Sequence, residues 1–214
     1  MGSMMAAILA GGASTRFPVN KLFYRIGNKS LIAHVFERVA KFFGDDNVYF
    51  VASKENYAKL KALGFKNILL DDILAGPLSG IFIALKNLGD VFVFAGDLPC
   101  INRWLINTMY DIWSTGDYYA VVPGWRNGYL EPLHAIYSEN LVSLIEENIR
   151  KRRLSITAFL KEIKNKYLLL LDDLPPLSRL SVYNVNTIDD VSCLEEGYKK
   201  NLEEPCMECL SIVQ

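Results

Sequence analysis

Near the start of the chain, Leu9-Ala10-Gly11-Gly12-Ala13-Ser14-Thr15-Arg16 runs on to Lys21. Glycines without a Cβ let backbone N–H groups approach phosphate oxygens, and the two cations complete the charge neutralisation. The segment is not a Walker A loop, because G-K-[ST] is absent, and it is not G-x-G-x-x-G. A bare Gly-Gly after a strand says little, but Gly-Gly with Arg16 and Lys21 in one loop says more; the alternative is a tight strand-to-helix turn with two surface cations.

Further groups of the same kind follow. In Phe94-Ala95-Gly96-Asp97-Leu98-Pro99 a carboxylate ends an apolar run. Such a group can hold a hard cation beside phosphates, since Mg²⁺ needs only one or two carboxylates plus phosphate and water oxygens. The alternative role for Asp97 is to cap the helix starting near Asn102. The turn Asp71-Asp72-Ile73-Leu74-Ala75-Gly76-Pro77-Leu78-Ser79-Gly80 has a proline suited to the first position of a helix. Gly76 and Gly80 permit close approach of a planar base. A carboxylate of Asp71 or Asp72 can accept from a guanine N1–H and 2-amino group. In Tyr183-Asn184-Val185-Asn186-Thr187-Ile188-Asp189-Asp190, strand alternation puts Asn184 and Asn186 on one side. Thr187 can cap the following helix, with Asp190 three residues on. Glu131-Pro132-Leu133-His134 can line an acceptor pocket, although His134, like His34, reads as a structural histidine. Arg150-Lys151-Arg152-Arg153 reads as a solvated helix end or, alternatively, an anion contact.

The elements that must carry these residues follow from apolar spacing. Residues 4–10, 48–52, 68–70 and 91–95 read as strands. Residues 31–43, 54–63, 78–88 and 102–113 read as helices, with Gly64 a stop signal. Strict alternation of strand and helix implies a mostly parallel sheet with helices on both faces. Ligands in such folds bind at the carboxyl ends of the strands. The turns 11–21, 71–80 and 96–99 are expected at those ends, converging on one crevice. In the second half, 118–123, 128–135 and 167–171 read as strands. Residues 182–186 read as an extended run, and 139–149, 155–163 and 187–196 as helices. One domain over 4–196 is expected, with a nucleotide-binding half at 4–100 and an acceptor-binding half at 101–196. Residues 197–214 read as a tail and Met1-Gly2-Ser3 as an expression remnant.

The 214 residues are 51% hydrophobic and 22% charged, with a net charge of -1. This argues for a packed core and against disorder or a general nucleic-acid surface. No apolar run reaches the roughly 18 residues of a membrane span, and residues 4–10 are too short for a signal peptide. The spacing of Cys100, Cys193, Cys206 and Cys209 suggests no disulfide framework, so free thiols in a reducing cytoplasm are expected. Cys206-x-x-Cys209 reads as part of a loose tail more than as half of a zinc site.

The four constellations, in this order, resemble the molybdenum cofactor guanylyltransferase (MobA) family. Its opening pattern L-A-G-G-x-S-x-R-M-G-x-D-K aligns with residues 9–21, its G-P-L-[AS]-G with residues 76–80, and its strand-end aspartate with Asp97. Its [QE]-P-L-x-A-x-Y segment aligns with residues 131–137 and its N-[IV]-N-T-P-[ED]-[DE] with residues 184–190. The chain departs from the pattern at Phe17-Pro18 (Met-Gly in the family), Asn20 (Asp) and Ile188 (Pro).

The resemblance implies a three-layer, Rossmann-like nucleotidyltransferase fold. It implies an enzyme that joins GTP to molybdopterin-bound molybdenum, giving the guanine dinucleotide cofactor and pyrophosphate. Arg16, Lys21 and Asp97 would be catalytic, with Asp97 holding Mg²⁺. The nucleotide would lie against Leu9, Ala10, Gly11, Gly12, Lys21, Asp71, Asp72, Gly76, Pro77, Leu78, Gly80 and Asp97. The acceptor would lie against Glu131, Pro132, Asn184 and Asn186. Transient contact with molybdoenzymes or other cofactor-assembly proteins is also implied, with no nucleic acid or membrane. The cytidylyl-transferring relatives usually begin L-A-A-G, so the second glycine favours guanine. Sugar-phosphate and isoprenoid nucleotidyltransferases share the fold but usually differ at residues 184–187. A non-catalytic nucleotide-binding assembly protein is the alternative from another class.

Overall fold

The computed structural model describes residues 4–11 and 20–199. In chain order the elements are β1 (Met5–Ala10), β2 (Arg25–Ile26), β3 (Lys29–Ser30), α1 (Leu31–Phe43), β4 (Val48–Ala52), α2 (Lys54–Ala62) and β5 (Ile68–Leu70). There follow α3 (Pro77–Leu88), β6 (Val91–Ala95), α4 (Arg103–Thr115), β7 (Ala120–Gly124) and β8 (His134–Tyr137). The last are α5 (Val142–Arg150), α6 (Ile156–Glu162), β9 (Lys166–Leu170), α7 (Pro176–Arg179) and α8 (Ile188–Lys199).

Seven strands form one sheet in the order β5-β4-β1-β6-β8-β7-β9. β8 runs antiparallel to β6 and β7, and the other pairings are parallel. The central strands are apolar almost throughout because helices cover both faces. Along β1, Ala6, Ile8 and Ala10 join one core with Val35 and Val39 of α1 and Leu105 and Met109 of α4. Ala7 and Leu9 point the other way, into a second core with Leu78, Ile81 and Leu85 of α3, Ile145 of α5 and Phe159 of α6. The expected three-layer, mostly parallel α/β architecture is therefore the one observed.

The differences lie in the second half and at the cysteines. Of the expected strand at 128–135, only His134 and Ala135 belong to one, the start of β8. Gly124 and Leu130 make an isolated bridge, and pairing resumes only at His134. Gly128 turns the chain with φ of 92°, and Pro132 has no N–H to give a ladder. Residues 182–186 are not a strand of the sheet either. A 3-10 turn ends at Val182, and the chain then crosses the end of β6, where Val185 N donates to the Asp97 carbonyl at 3.0 Å. The small β2–β3 hairpin and α7 were too short to show a periodicity.

Cys100 and Cys193 are each disulfide-bonded, against the expectation of free thiols. They are far apart in sequence yet sit in one cluster with Leu180, Tyr183 and Val185, a closeness that spacing cannot reveal. The bonds assign no compartment, since intracellular proteins of hyperthermophiles also carry them. Cys206 and Cys209 lie outside the described residues.

Candidate active site

β4, β1 and β6 are adjacent and parallel, so their carboxyl ends open on one edge of the sheet. A cleft of about 690 Å³ lies there, within the usual size range for small-molecule sites. Leu9 and Gly11 line it around the end of β1, Val51 and Ser53 around the end of β4, and Gly96, Asp97 and Leu98 after β6. Asp71, Leu74, Gly76, Pro77 and Gly80 form another wall, and Glu131, Pro132, Leu133, Asn184 and Asn186 face them across the opening. The three expected turns, in their described parts, therefore do converge.

Lys21 sits on a single 3-10 turn, Lys21–Phe23, and reaches across the cleft. Its Nζ is 2.5 Å from Asp97 Oδ2 and donates to the Val185 carbonyl at 3.1 Å and to Asn186 Oδ1 at 3.2 Å. The two charged side chains are only 19% and 17% exposed, so solvent screens the pair less than a surface bridge. Asp97 is placed by a close approach of backbones: Gly96 N donates to the Leu9 carbonyl at 3.0 Å. A Cβ on Gly96 would stand 3.0 Å from that oxygen and 2.7 Å from Ile32 Cδ1.

Among the described residues no group of three or more His, Cys, Asp or Glu forms a metal cage. The donors around Asp97 suit a different type of site. One carboxylate and the Asn186 amide oxygen already gather around a cation, the Lys21 ammonium. That donor set fits Mg²⁺, which takes most of its remaining ligands from phosphate and water.

The wall before α3 is built by Asp71, which is 7% exposed. Its Oδ1 accepts from Ile73 N and Leu74 N, both at 3.1 Å, and its Oδ2 lies 2.7 Å from the Ser79 hydroxyl. Ser79 Oγ in turn accepts from Ala75 N at 3.0 Å. These bonds hold Leu74 at a φ of 54°, sparsely populated for a non-glycine residue, with its side chain 67% exposed at the cleft. Gly76, with φ of 70°, makes the final turn into α3, and Pro77 opens the helix at its first turn.

On the opposite side, Glu131 accepts from the Trp125 indole N–H at 2.9 Å. Burial pushes the Glu131 carboxyl up, and that hydrogen bond partly opposes it. Beyond Asn186, Asp190 closes a capping box: its Oδ2 accepts from Asn186 N and Thr187 N, both at 2.7 Å, and its own N–H donates to Thr187 Oγ1. Burial alone would raise Asp190, but these bonds and the Tyr183 hydroxyl outweigh it and hold the carboxyl low.

Of the other expected site residues, Asp72 is exposed and off the cleft wall. Ala10 and Leu78 are fully buried behind the wall instead of on it. Arg16 and Gly12 lie outside the described residues. The basic run ends α5 away from the cleft, with Lys151 paired to Glu147. His134 is 1% exposed, edge-on to the rings of Phe92 and Phe94, and off the lining. Sequence reasoning missed Ser53 and Leu74 on the lining, and in a lone sequence only the N-cap signal Ser53 before α2 pointed there.

The family model for a MobA-like NTP transferase domain matches residues 6–176. A protein of Thermococcus gammatolerans named probable molybdenum cofactor guanylyltransferase is 39% identical over 194 residues, 91% of this chain and all of the relative. A second of that name, from Thermococcus kodakarensis, is 40% identical over 188 residues, 88% of this chain and 92% of its own. Among solved structures, the molybdopterin-guanine dinucleotide biosynthesis protein A of Archaeoglobus fulgidus superposes with a TM-score of 0.79 at 26% identity, over 92% of this chain and 100% of that one. Match and geometry coincide, since the matched span carries the cleft from Leu9 to Leu133, and the chain belongs to the MobA-like NTP transferase family.

Proposed function

We propose that this protein transfers GMP from GTP to molybdopterin-bound molybdenum, releasing pyrophosphate and forming the guanine dinucleotide cofactor. The observation that carries the reading is the Lys21–Asp97 pair at the carboxyl end of β6, in a cleft lined by Gly11, Gly76 and Gly80. The names of the two Thermococcus relatives support the choice of nucleotide and acceptor.

In this reaction the terminal phosphate of the acceptor attacks the α-phosphorus of GTP, and the bond to the β-phosphate oxygen breaks. The nucleophile is already anionic, so no strong general base is needed, and rate comes from positioning. Gly11 offers backbone to the phosphates. Lys21, steadied by Val185 and Asn186, neutralises charge on the departing pyrophosphate. Asp97, with Asn186 beside it, is the group that would hold Mg²⁺, which when bound stabilises negative charge on the phosphate oxygens. Leu74, Gly76, Pro77 and Gly80 form the wall for the guanine, and Asp71 serves by shaping that wall, its oxygens being spent on Ile73, Leu74 and Ser79. Glu131, Pro132 and Asn184 face the acceptor. The proposal includes a cytoplasmic site of action and transient contact with proteins that supply or receive the cofactor.

The test is Mg²⁺-dependent pyrophosphate release by the Asp97→Asn variant. Asparagine keeps the shape and removes the charge. A fall in kcat of about 100-fold or more is expected, the scale lost with one electrostatic transition-state contact. Wild-type turnover by Asp97→Asn would rule out the assigned role.

A further inference from the structure

Ala10 ends β1 and Asn20 precedes the turn that carries Lys21, and a relay of two side-chain amides ties these two points together. Asn56, on the first turn of α2 and 2% exposed, donates from Nδ2 to the Ala10 carbonyl at 2.7 Å. Its Oδ1 accepts from Asn20 Nδ2 at 2.9 Å. Asn20 Oδ1 in turn accepts from Leu22 N at 3.2 Å, capping the short turn that carries Lys21.

The direction of this relay is forced from both ends. A carbonyl can only accept, so the Asn56 amino group must face Ala10. A backbone N–H can only donate, so the Asn20 oxygen must face Leu22. What remains between the side chains is the Asn20 amino group against the Asn56 oxygen, which is a hydrogen bond only if residue 20 is a donor. Aspartate, the residue at this position in the family's opening pattern, would set an anionic oxygen against the Asn56 oxygen at hydrogen-bond distance. Turning the Asn56 amide to meet it would strip the buried Ala10 carbonyl of its partner, a costly exchange.

We propose that Asn20 and Asn56 are positioning residues that fix Lys21 relative to the Gly11 end of the phosphate-binding segment, and so set the grip on the triphosphate. The ammonium that reaches Asp97, Val185 and Asn186 springs from the residue next to Asn20. The backbone offered by Gly11 follows the carbonyl held by Asn56. The inference rests on the reading of the cleft as a nucleoside triphosphate site.

The experiment compares wild type with Asn20→Asp and Asn20→Ala, measuring Mg·GTP affinity by calorimetry and KM and kcat by pyrophosphate release, from pH 8 to pH 5. Asn20 is only partly buried, so both variants are expected to fold, and thermal melting checks this. At pH 8, Asn20→Asp should raise Kd and KM about tenfold and lower kcat as well, since the Lys21 it displaces also neutralises the departing pyrophosphate. Asn20→Ala should lose less, because it removes both side-chain bonds but sets no anionic oxygen against Asn56. The gap between Asn20→Asp and wild type should narrow towards pH 5, because a protonated carboxyl can donate to Asn56 while still accepting from Leu22. A space-filling role would give the reverse order, with the isosteric aspartate better than alanine and no dependence on pH. That order, or an Asn20→Asp protein that binds GTP as wild type does at pH 8, overturns the inference while leaving the nucleotide reading intact. A wild-type protein that binds no GTP overturns both.

Discussion

At the scale of the residue, the site separates groups that face ligand from groups that build the wall. Asp97 and Lys21 meet in the cleft, whereas Asp71 is consumed in holding Ile73, Leu74 and Ser79. Sequence alone marked both aspartates as candidates, because a carboxylate in a glycine-rich turn looks the same whether its oxygens are free or spent. His134 is the other case. Burial drives it down to about 3, partly opposed by its bond to Ser181, and Nδ1 has no hydrogen-bond partner. It is therefore neutral, and no base for catalysis. Between about 6.5, the ordinary histidine value, and about 3, the unfolded chain carries a proton that the folded protein lacks. Stability then rises with pH through that window and is fully present above it. His34 is shifted the same way, by burial first, with its bond to the Ile26 carbonyl partly opposing. Replacing His134 by Phe, against the rings of Phe92 and Phe94, should flatten the fall in melting temperature from pH 7 to pH 4 without abolishing it. An unchanged slope would show that His134 does not stay neutral.

At the scale of the element, the site depends on where strands end. The first-half strands and helices could be read almost residue by residue, because β1, β4 and β6 are buried on both faces and α1 has one apolar stripe. The second half could not. The segment at residues 128–135 looks strand-like, but Gly128 and Pro132 keep it off the ladder until His134. The paired asparagines do reach the cleft, as alternation suggested, but on a segment held by one backbone bond from Val185 to Asp97. Gly96, where two backbones meet beside Asp97, is a position sensitive to mutation. In Gly96→Ala the new methyl meets Ile32 Cδ1, which can yield, and the Leu9 carbonyl, which is backbone and cannot. Overpacking of this kind costs about 1–3 kcal/mol. The displacement falls on Asp97, so pyrophosphate release should drop at least about tenfold in a protein that still folds, the loss that roughly 1.4 kcal/mol of misplacement brings. Wild-type turnover by Gly96→Ala would mean that Asp97 tolerates a shift of its strand end.

At the scale of the whole molecule, a mostly parallel sheet brings four sequence-distant segments to one edge, around Gly11, Asp71, Asp97 and Asn186. That convergence was legible from strand–helix alternation, because such sheets gather their ligands at strand ends. The amide relay and the disulfides of Cys100 and Cys193 were not, since each depends on tertiary proximity between residues that no local pattern connects. Family membership and cleft geometry together point to one reaction, and its base and acceptor are the part most directly open to measurement. Pyrophosphate release should be followed with GTP, CTP, UTP and ATP in turn, each with Mg²⁺ and the molybdopterin-bound molybdenum acceptor. Turnover with GTP, well above the other three and dependent on the acceptor, is the predicted result. Preference for CTP, or no release with any of the four, would contradict it.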